Sequence, residues 1–215
     1  MKRSALLRAP RGALTGGRCR GATLIEVLIA VLVLAVGILG LMGLQINGKR
    51  TTYEALQRSM AVGLAQDMMN RLRANPNTVT NKSFLADSYG TASYTGGGVG
   101  GGQVSAPGKD CAADGAGCTR TELAAFDLAA WEAQLDDATR TGLVNPTGCV
   151  HIDTDPGIVN GSSVTVMVAW ESRVDLDQTQ LVARMPAALE CGAGKYGTDD
   201  LRRQAVVIST FLANR

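Results

Sequence analysis

The chain has 215 residues, 46% hydrophobic and only 4% aromatic, and its formal charge of +2 comes from 21 basic against 19 acidic residues. That near-neutral total is misleading: Lys2, Arg3, Arg8, Arg11, Arg18 and Arg20 fall in residues 1–21, which hold no acid, so the remainder carries 15 basic and 19 acidic residues. Once the basic N-terminal segment is set aside, this acidic excess argues against a surface built to gather nucleic-acid phosphates.

Gly21-Ala22-Thr23-Leu24-Ile25-Glu26 opens an apolar run that continues to Leu44, with only Thr23 and Glu26 polar. The 23 residues from Ala22 to Leu44 suffice for a helix that crosses a bilayer core of about 30 Å. The basic segment before the run holds that end in the cytoplasm. A secretory signal peptide places its cleavage site after the apolar region; here the small residue, Gly21, precedes it. An uncleaved signal anchor accounts for the charges and the span, but not for Gly21 or Glu26. A carboxylate at the centre of a membrane helix costs about 2.5–3.5 kcal/mol. Glu26 is therefore expected to have a partner, with snorkelling to the headgroups as the alternative. Gly37, Gly40 and Gly43 recur at three-residue intervals in the same run. They offer either a face for close helix approach or only the ordinary glycine content of membrane helices.

The Gly21 junction resembles the prepilin signal of type IV pilins and of type II secretion pseudopilins. The resemblance implies a leader, 1–21, cut by a prepilin peptidase between Gly21 and Ala22, with N-methylation of Ala22. It also implies that Glu26 pairs with the terminal amine of a neighbouring subunit and so sets register. Ala22 departs from the Phe or Met most often found at the first mature position.

Beyond the apolar run, Leu56, Met60, Leu64, Met68 and Leu72 recur at four-residue spacing beside Tyr53 and Ala61, while Glu54, Gln57, Arg58, Asp67, Asn70, Arg71 and Arg73 cover the other faces. This predicts an amphipathic continuation of the same helix, ended by Pro76 after Asn75. The ending Arg71-Leu72-Arg73-Ala74-Asn75-Pro76 resembles that of PilV-type minor pilins, also called type IV pilus modification proteins.

Residues 77–118 read as a connection. Gly96-Gly97-Gly98 and Gly100-Gly101-Gly102 flank Val99, a density of glycine that opposes regular structure; no Gly-Lys-Ser/Thr follows to make a phosphate loop. A flexible surface loop is expected there. Thr119 and Glu122 form a capping box, and Ala124, Leu128, Trp131 and Leu135 mark one face of a helix over 120–138. Strands are predicted at Cys149–Asp153, Ser163–Trp170 and Ala205–Leu212, the first two as a hairpin. Val164, Val166, Val168 and Trp170 share one face of the middle strand. The fold class is α+β: by resemblance, a type IV pilin-like lollipop with one long helix on a small antiparallel sheet. The domain reading is a leader at 1–21, a membrane or filament-core helix at 22–44, and a globular extracytoplasmic part at 45–215.

With Cys19 lost in the leader, Cys111, Cys118, Cys149 and Cys191 remain, an even number that fits two disulfides in an oxidising compartment. Three connectivities are open; proximity favours Cys111–Cys118, which leaves Cys149–Cys191. No Cys-x-x-Cys occurs and His151 is the single histidine, so no metal site is expected. Asp153-Thr154-Asp155-Pro156-Gly157 partly matches a calcium loop but lacks the closing bidentate Glu and reads as a hairpin turn. Asp136-Asp137 and Asp199-Asp200 read as solvated or capping residues with nothing to perturb their pKa values. No catalytic constellation and no cofactor motif is found, so the expectation is a structural protein and not an enzyme. By resemblance its partners are the prepilin peptidase, other minor pilins, the major pilin and the inner-membrane assembly machinery, with no nucleic acid. A minor pseudopilin and a signal-anchored periplasmic ligand-binding domain are the alternatives.

Overall fold

A computed structural model describes residues 21–75, 82–91, 98–113, 115, 117–153, 155, 157, 161–176 and 191–213. The basic residues of the leader, Cys19, the Pro76 stop, Gly96-Gly97 and the turn residues Thr154, Pro156 and Asn160 lie outside that set. Helix α1 runs from Leu24 to Ala74. The chain divides into two compact units, Met1–Arg50 and Thr51–Arg215. In the first unit the described residues are exposed throughout.

The second unit is an α+β fold. The α1 segment from Thr51 packs with α2 (Lys82–Tyr89), α3 (Arg120–Asp136) and the single turn α4 (Ala138–Thr141) around a sheet of β1 (Thr147–Ile152), β2 (Gly161–Glu171) and β3 (Arg203–Ala213). The sheet is antiparallel with order β1-β2-β3. Val164, Val166, Val168 and Trp170 of β2 enter the main core with Val150 and Ile152 of β1 and Val206 and Leu212 of β3. Strand alternation sends Met167 and Ala169 to the opposite face, where Cys149, Cys191 and Tyr196 close a smaller core.

The α1 stripe differs from its predicted course. Leu64, Met68 and Leu72 are buried, with Ala61, Ala65 and Met69 beside them, but Leu56 is 51% and Met60 37% exposed, and Gln57 is buried instead. A row taken strictly every fourth residue advances about 40° per step around a 3.6-residue helix, so over four steps it winds off any fixed face. The buried face follows Gln57, Ala61, Leu64, Met68 and Leu72, where a step of three among the steps of four holds the row on one side.

Residues 77–118 also differ from expectation. Leu85 and Tyr89, one turn apart on α2, are fully buried. The glycine-rich stretch is no loose surface loop where it is described. Gly98, Val99 and Gly100 are buried, and Val99 exchanges backbone hydrogen bonds with Gly148 of β1 at 2.7 and 2.8 Å. Glycine is required by contact here: a Cβ on Gly100 would stand 2.4 Å from the Pro146 carbonyl oxygen, and one on Gly148 would stand 2.4 Å from Trp131.

Helix α3 begins where the capping box places it. The Glu122 amide donates to Thr119 Oγ1 at 3.3 Å and the Glu122 carboxylate accepts from the Thr119 amide at 2.8 Å. Its apolar face is buried as predicted, with Trp131 donating to the Leu64 carbonyl at 3.0 Å. Cys111–Cys118 and Cys149–Cys191 are both disulfide-bonded, the pairing that proximity favours.

Candidate functional site

Two regions carry the residues singled out in the sequence. In the first, Gly21, Ala22 and Thr23 precede α1, and the Thr23 carbonyl accepts from the amides of Glu26 and Val27 at 3.0 and 3.2 Å. Glu26 therefore sits in the first turn, where unpaired amides favour a negative charge. Its carboxylate is exposed and makes no ion pair among the described residues. Around and beyond it, every large hydrophobic residue from Leu24 to Ile46 is exposed, at 44% to 79%. Soluble monomers rarely leave so large an apolar surface uncovered, and α1 is long and apolar enough to cross a membrane. Gly37, Gly40 and Gly43 meet nothing within 4 Å.

In the second region the Arg-x-Arg-Ala-Asn ending of α1 ties three helices together. Arg71 donates to Asp67 at 2.8 Å and to Asp127 of α3 at 3.2 Å. The Tyr89 hydroxyl of α2 donates to Asp127 at 2.8 Å and accepts from Asn75 Nδ2 at 3.1 Å. Asn75 Nδ2 also donates to the Arg120 carbonyl at 3.0 Å, and Arg73 reaches Thr210 of β3 at 3.1 Å. Burial of Arg71 lowers its pKa, but the hydrogen bonds and charges of Asp67 and Asp127 outweigh that, so the net shift is upward. Burial chiefly, helped by the Asp127 charge, raises the pKa of Tyr89. A motif legible only by resemblance thus has a mechanical meaning: it locks the end of α1 to α2, α3 and β3.

A further clamp had no counterpart in the sequence reading. The buried Glu132 carboxylate of α3 accepts from the amides of Gly100, Gln103 and Val104 at 2.7 to 2.9 Å. Asp136 accepts from the Gly101 amide at 2.8 Å. The available signal was Glu132 on the helical face next to Trp131, an acid where an apolar residue fits better.

The remaining acids are structural. Asp137 caps α4 by accepting from the Arg140 amide at 3.2 Å; its pKa is lowered, first by the Thr139 hydroxyl, contrary to the expectation that nothing perturbs it. Asp200 accepts from the amides of Gly194 and Tyr196 at 2.9 and 3.1 Å. In the candidate calcium loop, Asp153 and Asp155 each accept a turn amide, from Asp155 and Gly157 at 3.0 and 2.8 Å, while His151 is exposed on β1. Among the described residues no group of three or more His, Cys, Asp or Glu could hold a metal ion.

The class of protein follows from known families. Residues 17–42 match the prokaryotic N-terminal methylation motif, and together with the α+β fold this supports a type IV pilin-like subunit of the pilin superfamily. Pilins are structural subunits. More particularly, residues 43–129, directly following, match the family described as type IV pilin Tt1218. No curated protein and no solved structure matches the chain.

Proposed function

We propose that this chain is a minor pilin of a type IV pilus, close to the PilV type, that takes part in assembling or initiating the filament. Prepilin peptidase would remove residues 1–21 at the Gly21–Ala22 bond on the cytoplasmic side and methylate Ala22. The mature chain would wait in the inner membrane as a single-pass protein and then join other minor pilins and the major pilin at the cell surface. The observation that carries this reading is Glu26. A carboxylate that makes no ion pair among the described residues, in the first turn of an exposed apolar helix and inside the methylation-motif match, suits a partner from another subunit. Buried among apolar helices, such a charge is tolerable only when paired, and the partner that the resemblance to pilins implies is a neighbour's terminal amine.

The test is Glu26→Ala. This variant keeps the leader, the apolar run and Gly21, so it should insert and be cleaved normally, yet be missing from sheared filaments. Recovery of Glu26→Ala in purified filaments at the wild-type ratio would exclude the pairing role. Gly21→Arg should leave a precursor that retains residues 1–21 by mass; a wild type that also retains residues 1–21, differing from the variant only by the substitution itself, would favour an uncleaved signal anchor.

A further inference from the structure

The apolar stretch of α1 ends in Ile46-Asn47-Gly48-Lys49-Arg50, still helical and exposed. Lys49 and Arg50 are adjacent cations, and neither is in an ion pair among the described residues. Between Glu26 and Lys49 the helix carries no other charge. At 1.5 Å per residue these two groups stand about 35 Å apart along the axis, a bilayer core of about 30 Å plus the start of each headgroup layer. With Glu26 at one interface, Lys49 and Arg50 reach the phosphates of the other.

We propose that Lys49 and Arg50 bind anionic phospholipid headgroups of the outer leaflet and become the electrostatic anchor of the chain once residues 1–21 are removed. The inference rests on the cleavage proposed above. Before the cut, six leader cations hold the inner end and outnumber the outer pair. Afterwards Ala22 to Gly48 contains no basic side chain, so side-chain attraction to anionic lipid moves from the inner leaflet to the outer one. Cleavage then does more than expose an amine: it releases the side that a subunit must leave in order to enter a filament. The residual hold is two charges, weak enough to be broken and strong enough to fix depth.

The experiment uses the membrane-extracted chain in bilayer discs of phosphatidylglycerol and phosphatidylcholine, with retained lipids counted by native mass spectrometry. Wild type should retain phosphatidylglycerol preferentially, less so at high salt. Lys49→Gln/Arg50→Gln should retain less, by about fivefold per charge removed, while Arg140→Gln, which removes an exposed cation of the second unit, should match wild type. Equal retention by the double variant and wild type, or no preference for the anionic lipid, would overturn the anchor. The same spectra give the mass of the chain. A leader still attached with the lipid loss present refutes the cleavage reading and leaves the lipid site standing; a mature chain with unchanged lipid does the reverse.

Discussion

One helix, α1, presents two surfaces that obey opposite rules. From Leu24 to Ile46 its apolar side chains point in every direction and are exposed. From Gln57 to Leu72 a single stripe is buried while the other faces carry charge. The first surface is uniform, so it suits a surrounding that is itself apolar on all sides, lipid or a bundle of like helices. The second is one-sided because its partner, a sheet with two helices, belongs to the same chain. A change in the first region should therefore be felt between molecules, and a change in the second within one.

The largest break in that comparison is Met68→Asp. Met68 is fully buried, and an unpaired carboxylate there should abolish the cooperative melt of the second unit. Leu34→Asp, in the exposed stretch, should leave that melt unchanged and impair membrane insertion instead. If both variants melted alike by circular dichroism, the contrast drawn above would be wrong. Next in size is the disulfide between Cys149 and Cys191, separated by 42 residues. Its replacement by serines should cost about 4 kcal/mol in denaturant unfolding, against about 2.5 kcal/mol for the Cys111–Cys118 bond, which closes a shorter loop. Equal losses would remove loop length as the explanation. Arg71→Ala follows. It leaves the mostly buried Asp127 carboxylate with the Tyr89 hydroxyl but without its cation, and with Arg71 itself partly solvated the loss should be about 2 kcal/mol. Arg71→Lys should recover only part of it, because one ammonium cannot span Asp67 and Asp127 as the guanidinium fork does.

The smallest effect separates the two faces of the sheet by pH. Burial raises the Tyr196 pKa from 10.0 to about 12. The folded state thus favours the neutral phenol, and the stability this confers is complete below pH 10 and is lost as pH rises through about 12. Tyr196→Phe should flatten that alkaline decline, read as the melting temperature across the window. A decline unchanged in Tyr196→Phe would assign it to other groups, Tyr89 first.

How much of this was legible in the sequence depends on how local the cause is. The α3 start could be read because Thr119 and Glu122 satisfy each other's amides across three residues. The two faces of β2 could be read because alternation alone separates Val164, Val166 and Val168 from Met167 and Ala169. The Gly21 junction was read from residue types in one short run. The glycine-rich stretch misled because its order comes from elsewhere in the chain: Glu132, some thirty residues on, gathers the Gly100, Gln103 and Val104 amides. Composition counts the entropy glycine brings and cannot see the carboxylate that offsets it. Leu56 and Met60 were misplaced for a geometric reason, since a four-residue row was followed further than a helix lets it hold one face. The Asn75–Tyr89–Asp127 chain of bonds joins three helices, and no periodicity within one helix announces it.

The bridge between Val99 and Gly148 has a consequence for how the sheet can grow. Strand β1 has its outer side occupied at Gly148 and, further along, at Val150, whose amide and carbonyl bond the Thr91 hydroxyl and amide at 3.0 and 3.2 Å. A newcomer strand on that side would have to expel residues 98–104 and strip the Glu132 carboxylate of its amides. On β3 no such plug occurs among the described residues, and from Gln204 to Ala213 the strand has no charge, proline or glycine to repel a newcomer. Among the described residues the sheet therefore has one closed side: a strand added to it would pair with β3, and Phe211→Lys, at an exposed position, is the first substitution to try against such pairing.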